Sequence, residues 1–270
     1  MQQKLISLDL DGTTLNSSSQ ISPKTKNVLH AVSQAGHIVT IVTGRSDKMA
    51  LNFYDELGLK TPMVNFNGAV GHFPHGQSSD SYEITFHKEI VLDILASKST
   101  LGIQAIAAEG KGLTLTDSTD SSLSPFFPAA SRSQDVLNKM NLTKDPSAIT
   151  MLVDPFKKAE ITQQLQQTYD SDVTVSVWGG PAPVLELSPK NINKKVGLKF
   201  LSQHFNIPQQ NIIAFGDEQN DVEMLKYAGT GVAMKNASPW IQDVANVVTT
   251  VDNDHDGLAQ YLEQNLLQAE

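Results

Sequence analysis

The run Asp9-Leu10-Asp11-Gly12-Thr13 is the part of this sequence best suited to chemistry, because it places two carboxylates two residues apart. It overlaps the end of an apolar run at residues 5–10 that predicts a buried strand. Taken alone, a simple turn explains the motif about as well as catalysis, since Asp and Gly are turn residues. A carboxylate at the end of a buried strand is costly unless a cation pairs with it, so the motif predicts a cation nearby.

A second acidic stretch follows another predicted buried strand, at residues 211–215, and reads Gly216-Asp217-Glu218-Gln219-Asn220-Asp221. Asn and Asp are good helix N-caps, which is the simplest explanation for residues at the start of a helix. Capping needs only one of these side chains. The surplus carboxylates favour a hard cation such as Mg²⁺, which prefers oxygen ligands.

Two weaker signals could bind phosphate. Thr43-Gly44-Arg45 follows a β-branched strand predicted at residues 38–42, and a hydroxyl with backbone N–H groups at a helix N-terminus can hold phosphate oxygens. Taken alone, the Thr43-Gly44-Arg45 motif is explained more simply as a strand-to-helix turn than as a phosphate site. Lys194 begins another predicted helix, where a solvated lysine is the usual case, and Lys190 and Lys195 are close rivals for any role.

The elements that must position these residues alternate between strand and helix at both ends of the chain. This pattern predicts an α/β fold, with a Rossmann-like, doubly wound parallel sheet. In such sheets the ligand crevice lies beyond the carboxyl ends of the strands. We therefore expect Asp9, Thr43 and Asp217, which follow three of these strands, to converge on one site.

Between the two ends the pattern changes to strands of alternating character. It predicts a core domain formed by residues 1–82 and 187–270, with an inserted α+β cap domain at residues 83–186. The insert has predicted strands at 103–107, 113–116, 149–153 and 173–178, and predicted helices at 89–96 and 157–169. Residues 118–133 are rich in Ser and Pro and predict a long loop.

Composition excludes several classes of protein. The chain of 270 residues has a net charge of −9, and no run of Lys and Arg offers a site for nucleic acid or an anionic membrane. It has no cysteine, so disulfides and thiol chemistry are absent. No signal peptide is recognisable and no apolar stretch approaches the ~20 residues of a membrane span, so we expect a cytoplasmic protein.

Together these motifs resemble those of the haloacid dehalogenase superfamily of phosphohydrolases, and more narrowly of Cof-type sugar phosphatases. The first motif corresponds to Asp9–Thr13, the second to Thr43 and the third to Lys194. The fourth corresponds to Gly216-Asp217 with Asn220-Asp221. Two further loops, at residues 67–69 and 234–237, also resemble phosphate-side loops of this family.

The resemblance implies a phosphatase that uses Mg²⁺ and acts on a small phosphorylated metabolite. In this interpretation Asp9 is the nucleophile and Asp11 the general acid and base. The implied metal ligands are Asp9, Asp11 through its carbonyl, and Asp217, with Asp221 in support. The implied phosphate-binding residues are Leu10, Thr43, Gly44, Lys194 and Asn220.

Other functions remain open from the sequence. A phosphomutase would share the nucleophile and pass the phosphoryl group to a sugar instead of water. A phospho-aspartate signalling module also uses Asp, Mg²⁺, Thr and Lys, although such modules are shorter and lack an insert. The physiological substrate and the oligomeric state do not follow from the sequence.

One motif is set aside. Residues 252–257, Asp-Asn-Asp-His-Asp-Gly, together with Glu263, fit the calcium-loop pattern of an EF-hand. An EF-hand needs an entering helix, whereas residues 246–251 predict a strand. We interpret this segment as an acidic turn with helix capping.

Overall fold

The computed structural model describes residues 2–76, 80–120, 127–178 and 183–268. The chain divides into two compact units. The first comprises Met1–Tyr82 and Asn193–Glu270, and the second comprises Glu83–Ile192. The sequence predicted that the inserted domain ends at residue 186. The compact unit extends further because the strand that runs to Pro189 is paired within it.

Most strands of the first unit are shorter than most strands of the second. In chain order, the strands in the described residues are β1 (Leu5–Leu8), β2 (Ile38–Ile41), β3 (Met63–Asn65), β4 (Val70–His72), β5 (Tyr82–Glu83), β6 (Ile103–Gly110), β7 (Leu113–Thr116), β8 (Ala148–Val153), β9 (Val173–Val177), β10 (Val184–Pro189), β11 (Ile212–Gly216), β12 (Thr230–Ala233) and β13 (Val247–Val248). The α-helices are α1 (Pro23–Gln34), α2 (Asp47–Glu56), α3 (Lys88–Leu101), α4 (Lys158–Tyr169), α5 (Lys194–His204), α6 (Val222–Tyr227), α7 (Pro239–Val244) and α8 (Gly257–Leu262).

The first unit is built on a parallel sheet with the strand order β13-β12-β11-β1-β2. β1 is central, with β11 on one side and β2 on the other, and its four residues are buried. Apolar clusters lie on both faces, as expected when helices cover both sides of a parallel sheet. The predicted α/β, doubly wound fold is confirmed.

The helices of the first unit begin where the sequence provides caps. Ser22 Oγ accepts a hydrogen bond from Thr25 N, and Pro23 occupies the first turn of α1. At α5, Asn193 Oδ1 accepts from Lys195 N. This cap fixes the start of α5, so Lys194 enters the first unit in a defined orientation.

The second unit is an antiparallel sheet with the strand order β7-β6-β8-β10-β9. Its core joins one face of this sheet to α3 and α4, with Ile94, Met151 and Leu165 among the buried members. This is the α+β arrangement that the alternating pattern predicted.

Some sequence-based bounds differ from the structure. The strand expected at residues 246–251 is limited to Val247–Val248, and β4, β5 and β10 were not predicted. Of the loop predicted at 118–133, residues 121–126 lie outside the described residues. In the described parts of the chain, no helix combines the length and apolar character needed to cross a membrane.

Candidate active site

The predicted site residues follow three neighbouring strands of the parallel sheet. Asp9 N donates to Phe215 O at 3.2 Å, which places the residue after β1 beside the end of β11. On the other side, Val42 N donates to Leu8 O at 2.8 Å. The segments carrying Asp9, Thr43 and Asp217 therefore leave the sheet at the same edge.

A buried cluster of carboxylates lies at this edge. Oxygens of Asp9, Asp217 and Asp221 all lie within 4.8 Å of one another, and the three residues are at most 8% exposed. Lys194, which is fully buried, donates from Nζ to Asp9 Oδ1 and, at 2.7 Å, to Asp221 Oδ1. The structure thus brings together residues from both parts of the first unit, as the motifs predicted.

Asp221 is the most completely hydrogen-bonded of the three acids. Its Oδ1 accepts from Lys194, and its Oδ2 accepts from the backbone N–H groups of Asp217 and Glu218 at 3.0 and 3.1 Å. These contacts satisfy both oxygens from within the protein. Asp221 thus holds Lys194 and the backbone at Asp217 and Glu218 in place.

The electrostatics of the cluster show more negative charge than the protein neutralises. Burial raises the pKa of Asp9 well above its usual value; Lys194 opposes this rise, and the charges of Asp221 and Asp217 add to it. Burial and the charge of Asp221 also raise the pKa of Asp217 to about 7. Burial disfavours the charge on Lys194, yet the charges and hydrogen bonds of Asp221 and Asp9 raise its pKa above the usual value.

This imbalance fits a divalent cation. Against these three carboxylates, Lys194 supplies one positive charge, in hydrogen-bond contact with Asp9 and Asp221. The acids offer a compact set of oxygen donors, which is the chemistry that Mg²⁺ prefers. A cation between Asp9 and Asp217 would neutralise charge that otherwise disfavours ionisation of both groups.

The turn that follows β1 packs against Asp217. Gly12 has a left-handed backbone, with φ of 70°, and a Cβ at this position would lie 2.1 Å from Asp217 Oδ2. Thr13 Oγ1 donates to Asp217 Oδ1 at 2.8 Å. Only glycine allows this approach, so the Gly-Thr pair of the first motif fixes the Asp217 carboxylate beside Asp9.

Asp11 lies outside the buried cluster, with a side chain that is 55% exposed. Arg45 binds both of its oxygens: Nε donates to Oδ2 at 2.8 Å and a terminal guanidinium nitrogen donates to Oδ1. The guanidinium also lies over the Phe53 ring, 5.1 Å from its centroid. This bidentate pair orients an exposed carboxylate, and the sequence assigned no such role to Arg45.

The phosphate-side residues are held by a neighbouring loop. Thr43 is buried, and its Oγ1 accepts from Arg45 N at 3.1 Å, which leaves the hydroxyl hydrogen able to donate. Asn67 N donates to Thr43 O at 3.1 Å, while Asn67 Oδ1 accepts from Asn220 Nδ2 at 2.9 Å. A Cβ on Gly44 would lie 3.0 Å from Asn67 Oδ1. Asn67 therefore joins the second and fourth motifs.

This loop has an unusual backbone. Phe66, Asn67 and Gly68 have consecutive positive φ angles of 50°, 53° and 104°. A Cβ on Gly68 would lie 2.3 Å from Asn193 O, directly before Lys194. Left-handed non-glycine residues cost about 1 kcal/mol or more each, and such strain is concentrated at functional sites. This backbone lets Gly68 lie directly against Asn193, the residue before α5.

The structure distinguishes the two neighbouring lysines that the sequence could not separate. Lys194 is buried in the acid cluster, whereas Lys195 Nζ pairs with Glu223 at 2.9 Å near the surface. Sequence reasoning also assigned no contacts to Asn236, whose Nδ2 donates to Gly12 O at 2.8 Å. The resemblance of residues 234–237 to a family loop was the only signal for it.

With this geometry established, comparison with known proteins identifies the family. The model of the haloacid dehalogenase-like hydrolases matches residues 6–262. The chain belongs to this family. The resemblance to Cof-type members is confirmed, and the protein is a phosphatase, that is, a phosphoric monoester hydrolase.

Relatives of this family cover nearly the whole chain. The 5-amino-6-(5-phospho-D-ribitylamino)uracil phosphatase YitU of Bacillus subtilis is 32% identical over 96% of both chains. The pyridoxal phosphate phosphatase YbhA of Escherichia coli is 27% identical, over 99% of this chain and 100% of its own. A crystal structure of a haloacid dehalogenase-like hydrolase from Bacteroides thetaiotaomicron has a TM-score of 0.83 and 25% identity, over 97% of this chain and 99% of that one.

Proposed function

We propose that this phosphatase hydrolyses small phosphorylated metabolites in a Mg²⁺-dependent reaction, through an aspartyl-phosphate formed on Asp9. The observation that carries the proposal is the position of Asp9, which lies buried between Lys194 and two further carboxylates at the edge of the sheet. A buried carboxylate held in this way is oriented for attack, provided that cations offset its repulsion of a phosphate.

The metal would be held by Asp9, Asp217 and the backbone carbonyl of Asp11, with Asp221 as the supporting acid. When bound, Mg²⁺ supplies positive charge that stabilises the phosphoryl oxygens and reduces the repulsion between Asp9 and the substrate. Three donors, Lys194 and two backbone N–H groups, already bind Asp221, which supports its secondary role. Asp217 accepts instead from two neutral donors, Thr13 and Asn236.

The chemistry then proceeds in two displacements. An oxygen of Asp9 attacks phosphorus, so that a P–O bond to Asp9 forms while the P–O bond to the leaving group breaks. Asp11 gives a proton to the departing oxygen. In the second step water attacks the phosphorus of the aspartyl-phosphate, and Asp11 takes a proton from that water. The P–O bond to Asp9 breaks, which releases inorganic phosphate and restores Asp9 as a free carboxylate.

Arg45 orients Asp11 in the proposed site. Its two hydrogen bonds fix the direction of an exposed carboxylate, and alignment of that kind makes proton transfer more efficient. The exposure of Asp11 is consistent with contact to substrate and water.

The transferring phosphoryl group would be bound by residues around Asp9. Lys194 contributes a buried positive charge, while Thr43 and Asn220 contribute a hydroxyl and an amide. The backbone N–H groups near Leu10 and Gly44 complete the proposed set. Fixed donors of this kind stabilise developing charge without the reorganisation that water requires.

The substrate class is proposed from the family and from the relatives. Sugar phosphates are the class implied by the Cof-type resemblance. The names of two relatives add a phosphorylated ribitylaminouracil and pyridoxal phosphate as chemical types to test. All are small monoesters, with a single phosphate on an organic alcohol.

Metal removal tests this proposal directly. The purified protein is assayed for phosphate release on a panel that includes sugar phosphates, pyridoxal phosphate and the ribitylaminouracil phosphate, with Mg²⁺ and with EDTA. We expect at least one substrate to be hydrolysed, with a loss of at least about 10²-fold in EDTA, because the metal is worth several kcal/mol of charge stabilisation. Added Mg²⁺ should restore the rate. Full activity in EDTA, after exhaustive dialysis, would contradict the metal dependence.

Replacement of Asp11 tests its role in proton transfer. For Asp11→Asn we expect kcat/KM to fall by about 10²-fold on an alkyl phosphate, which needs a general acid. The loss on p-nitrophenyl phosphate should be much smaller, because that leaving group departs without a proton. Asp243→Asn, at an exposed position of α7, serves as the control. Equal losses on both substrates would count against Asp11 as the acid.

A further inference from the structure

The acidic turn at residues 252–257 has contacts that the proposed mechanism does not explain. Asp254 Oδ1 accepts from Ser17 N at 2.7 Å, and Asp256 Oδ1 accepts from Thr25 Oγ1 at 3.2 Å. The carboxylates of this turn are therefore used to attach it to the segment that follows the first motif. The turn is a fixed part of the first unit.

Asn253 connects this turn to the region of the nucleophile. Its side-chain Nδ2 donates to Leu15 O at 2.8 Å, and its backbone N donates to Asn236 Oδ1 at 3.2 Å. Leu15 N in turn donates to Leu10 O at 2.8 Å, which closes the turn that carries Asp11. Asn253 thus contacts the end of the catalytic turn and orients the amide of Asn236.

Asn236 reaches the other side of the same turn. Its Nδ2 donates to Gly12 O at 2.8 Å and lies 3.4 Å from Asp217 Oδ2. Because Oδ1 of the amide already accepts from Asn253 N, the NH₂ group is directed toward Gly12 and Asp217. The other Asp217 oxygen accepts from Thr13 Oγ1, so each carboxylate oxygen has a donor of its own.

We infer that Asn236 and Asn253 are positioning residues that act in series. The Asn253 side chain anchors its own backbone to Leu15 O, and the backbone N–H of Asn253 orients the Asn236 amide. Asn236 in turn holds the Gly12 carbonyl and the Asp217 carboxylate in the orientation that receives Mg²⁺. The inference rests on the proposed function, because it assigns these amides to the metal side of that site. Neither residue contacts the reacting atoms.

The physical reason is the rotational freedom of a carboxylate. Without Asn236, Asp217 Oδ2 loses its hydrogen-bond donor. The Gly12 carbonyl also loses the hydrogen bond that holds its turn beside Asp217. Partners that orient a metal ligand typically change metal affinity by about 10–100-fold when they are removed. Loss of such a partner is therefore expected to weaken Mg²⁺ binding and to leave the chemistry of the Mg²⁺-loaded enzyme nearly intact.

Calorimetric titration of the metal-free full-length protein with MgCl₂ tests the inference without relying on turnover. We expect Mg²⁺ to bind Asn236→Ala about 10-fold or more weakly than the unaltered protein. Asn253→Ala should show a smaller loss, since its backbone N–H remains.

The serial arrangement also predicts the result for the double variant Asn236→Ala/Asn253→Ala. In the double variant the Mg²⁺ affinity should be close to that of Asn236→Ala alone, because Asn253 acts through Asn236. Asn265→Ala is the matched control, because its exposed side chain donates to Tyr261 O, and it should bind as the unaltered protein. Activity assays at saturating Mg²⁺ should give a kcat within about twofold of the unaltered value, with a raised Mg²⁺ requirement.

Two results would overturn the inference. One is Mg²⁺ affinity in Asn236→Ala equal to that of the control, in a protein whose circular dichroism spectrum and melting curve show that it is folded. The other is a double variant whose loss equals the product of the two single losses. If instead the unaltered protein shows neither Mg²⁺ binding nor Mg²⁺-dependent phosphate release, the proposed function itself fails.

Discussion

Asp9→Asn abolishes phosphate release, with an expected loss in kcat of at least about 10³-fold, as is typical when a nucleophile is removed. An amide has nearly the same shape as the carboxylate, and its oxygen can still accept from Lys194. It is neutral and a poor nucleophile, so the first P–O bond cannot form. The variant should therefore fold normally and bind substrate while it fails to turn over.

Trapping of the intermediate gives the decisive measurement. The unaltered protein is quenched in acid during turnover, digested, and analysed by mass spectrometry for a phosphoryl group on the peptide that contains Asp9. The adduct should be absent in Asp9→Asn. Asp243→Asn, at an exposed position of α7, is the control and should retain both activity and adduct. Turnover by Asp9→Asn near the unaltered rate would refute the assignment of the nucleophile.

Lys194→Ala is expected to affect both catalysis and folding. Lys194 is the fully buried partner of Asp9 and Asp221, and loss of one partner of a buried ion pair costs about 3–5 kcal/mol of unfolding free energy. Loss of a fixed positive charge beside the transferring group should also lower kcat by about 10³-fold. Urea denaturation and phosphate release measure the two effects separately.

Lys195→Ala provides the matched control for this variant. Its side chain forms a partly exposed pair with Glu223, and exposed pairs contribute about 0–1 kcal/mol. We expect stability and activity close to the unaltered values. Mg²⁺ should recover part of the stability lost in Lys194→Ala, because a cation that binds the native cluster stabilises the folded state. Equal behaviour of the two lysine variants would contradict the roles assigned here.

The sequence predicted the positions of Asp9, Thr43 and Asp217 because that prediction depends on local pattern. Apolar runs identify buried strands, and parallel strands end at a common edge, so residues directly after them must be neighbours. The same reasoning gave the α/β class and the α+β insert. It placed Lys194 at the start of a helix but did not separate it from Lys195, since burial depends on how α5 packs.

Contacts between distant segments were beyond the reach of sequence patterns. Arg45 pairs with Asp11, and Asn67 pairs with Asn220, although the partners are far apart in sequence. Each of these side chains has a simple explanation in its own local turn. Strand β10 was missed for a similar reason, because a short alternating run that ends in Pro189 is compatible with a loop until β8 and β9 provide its partners.

The discontinuous first unit has a consequence for biosynthesis. β1 and β2 emerge early, yet β11, the other neighbour of β1, and Lys194 follow only after the whole of Glu83–Ile192. During translation β1 therefore has one unpaired edge, and Asp9 has no lysine beside it, until more than two thirds of the chain has left the ribosome. The second unit is contiguous and can fold first, so pairing of β1 with β11 is a late, long-range event that is expected to be slow.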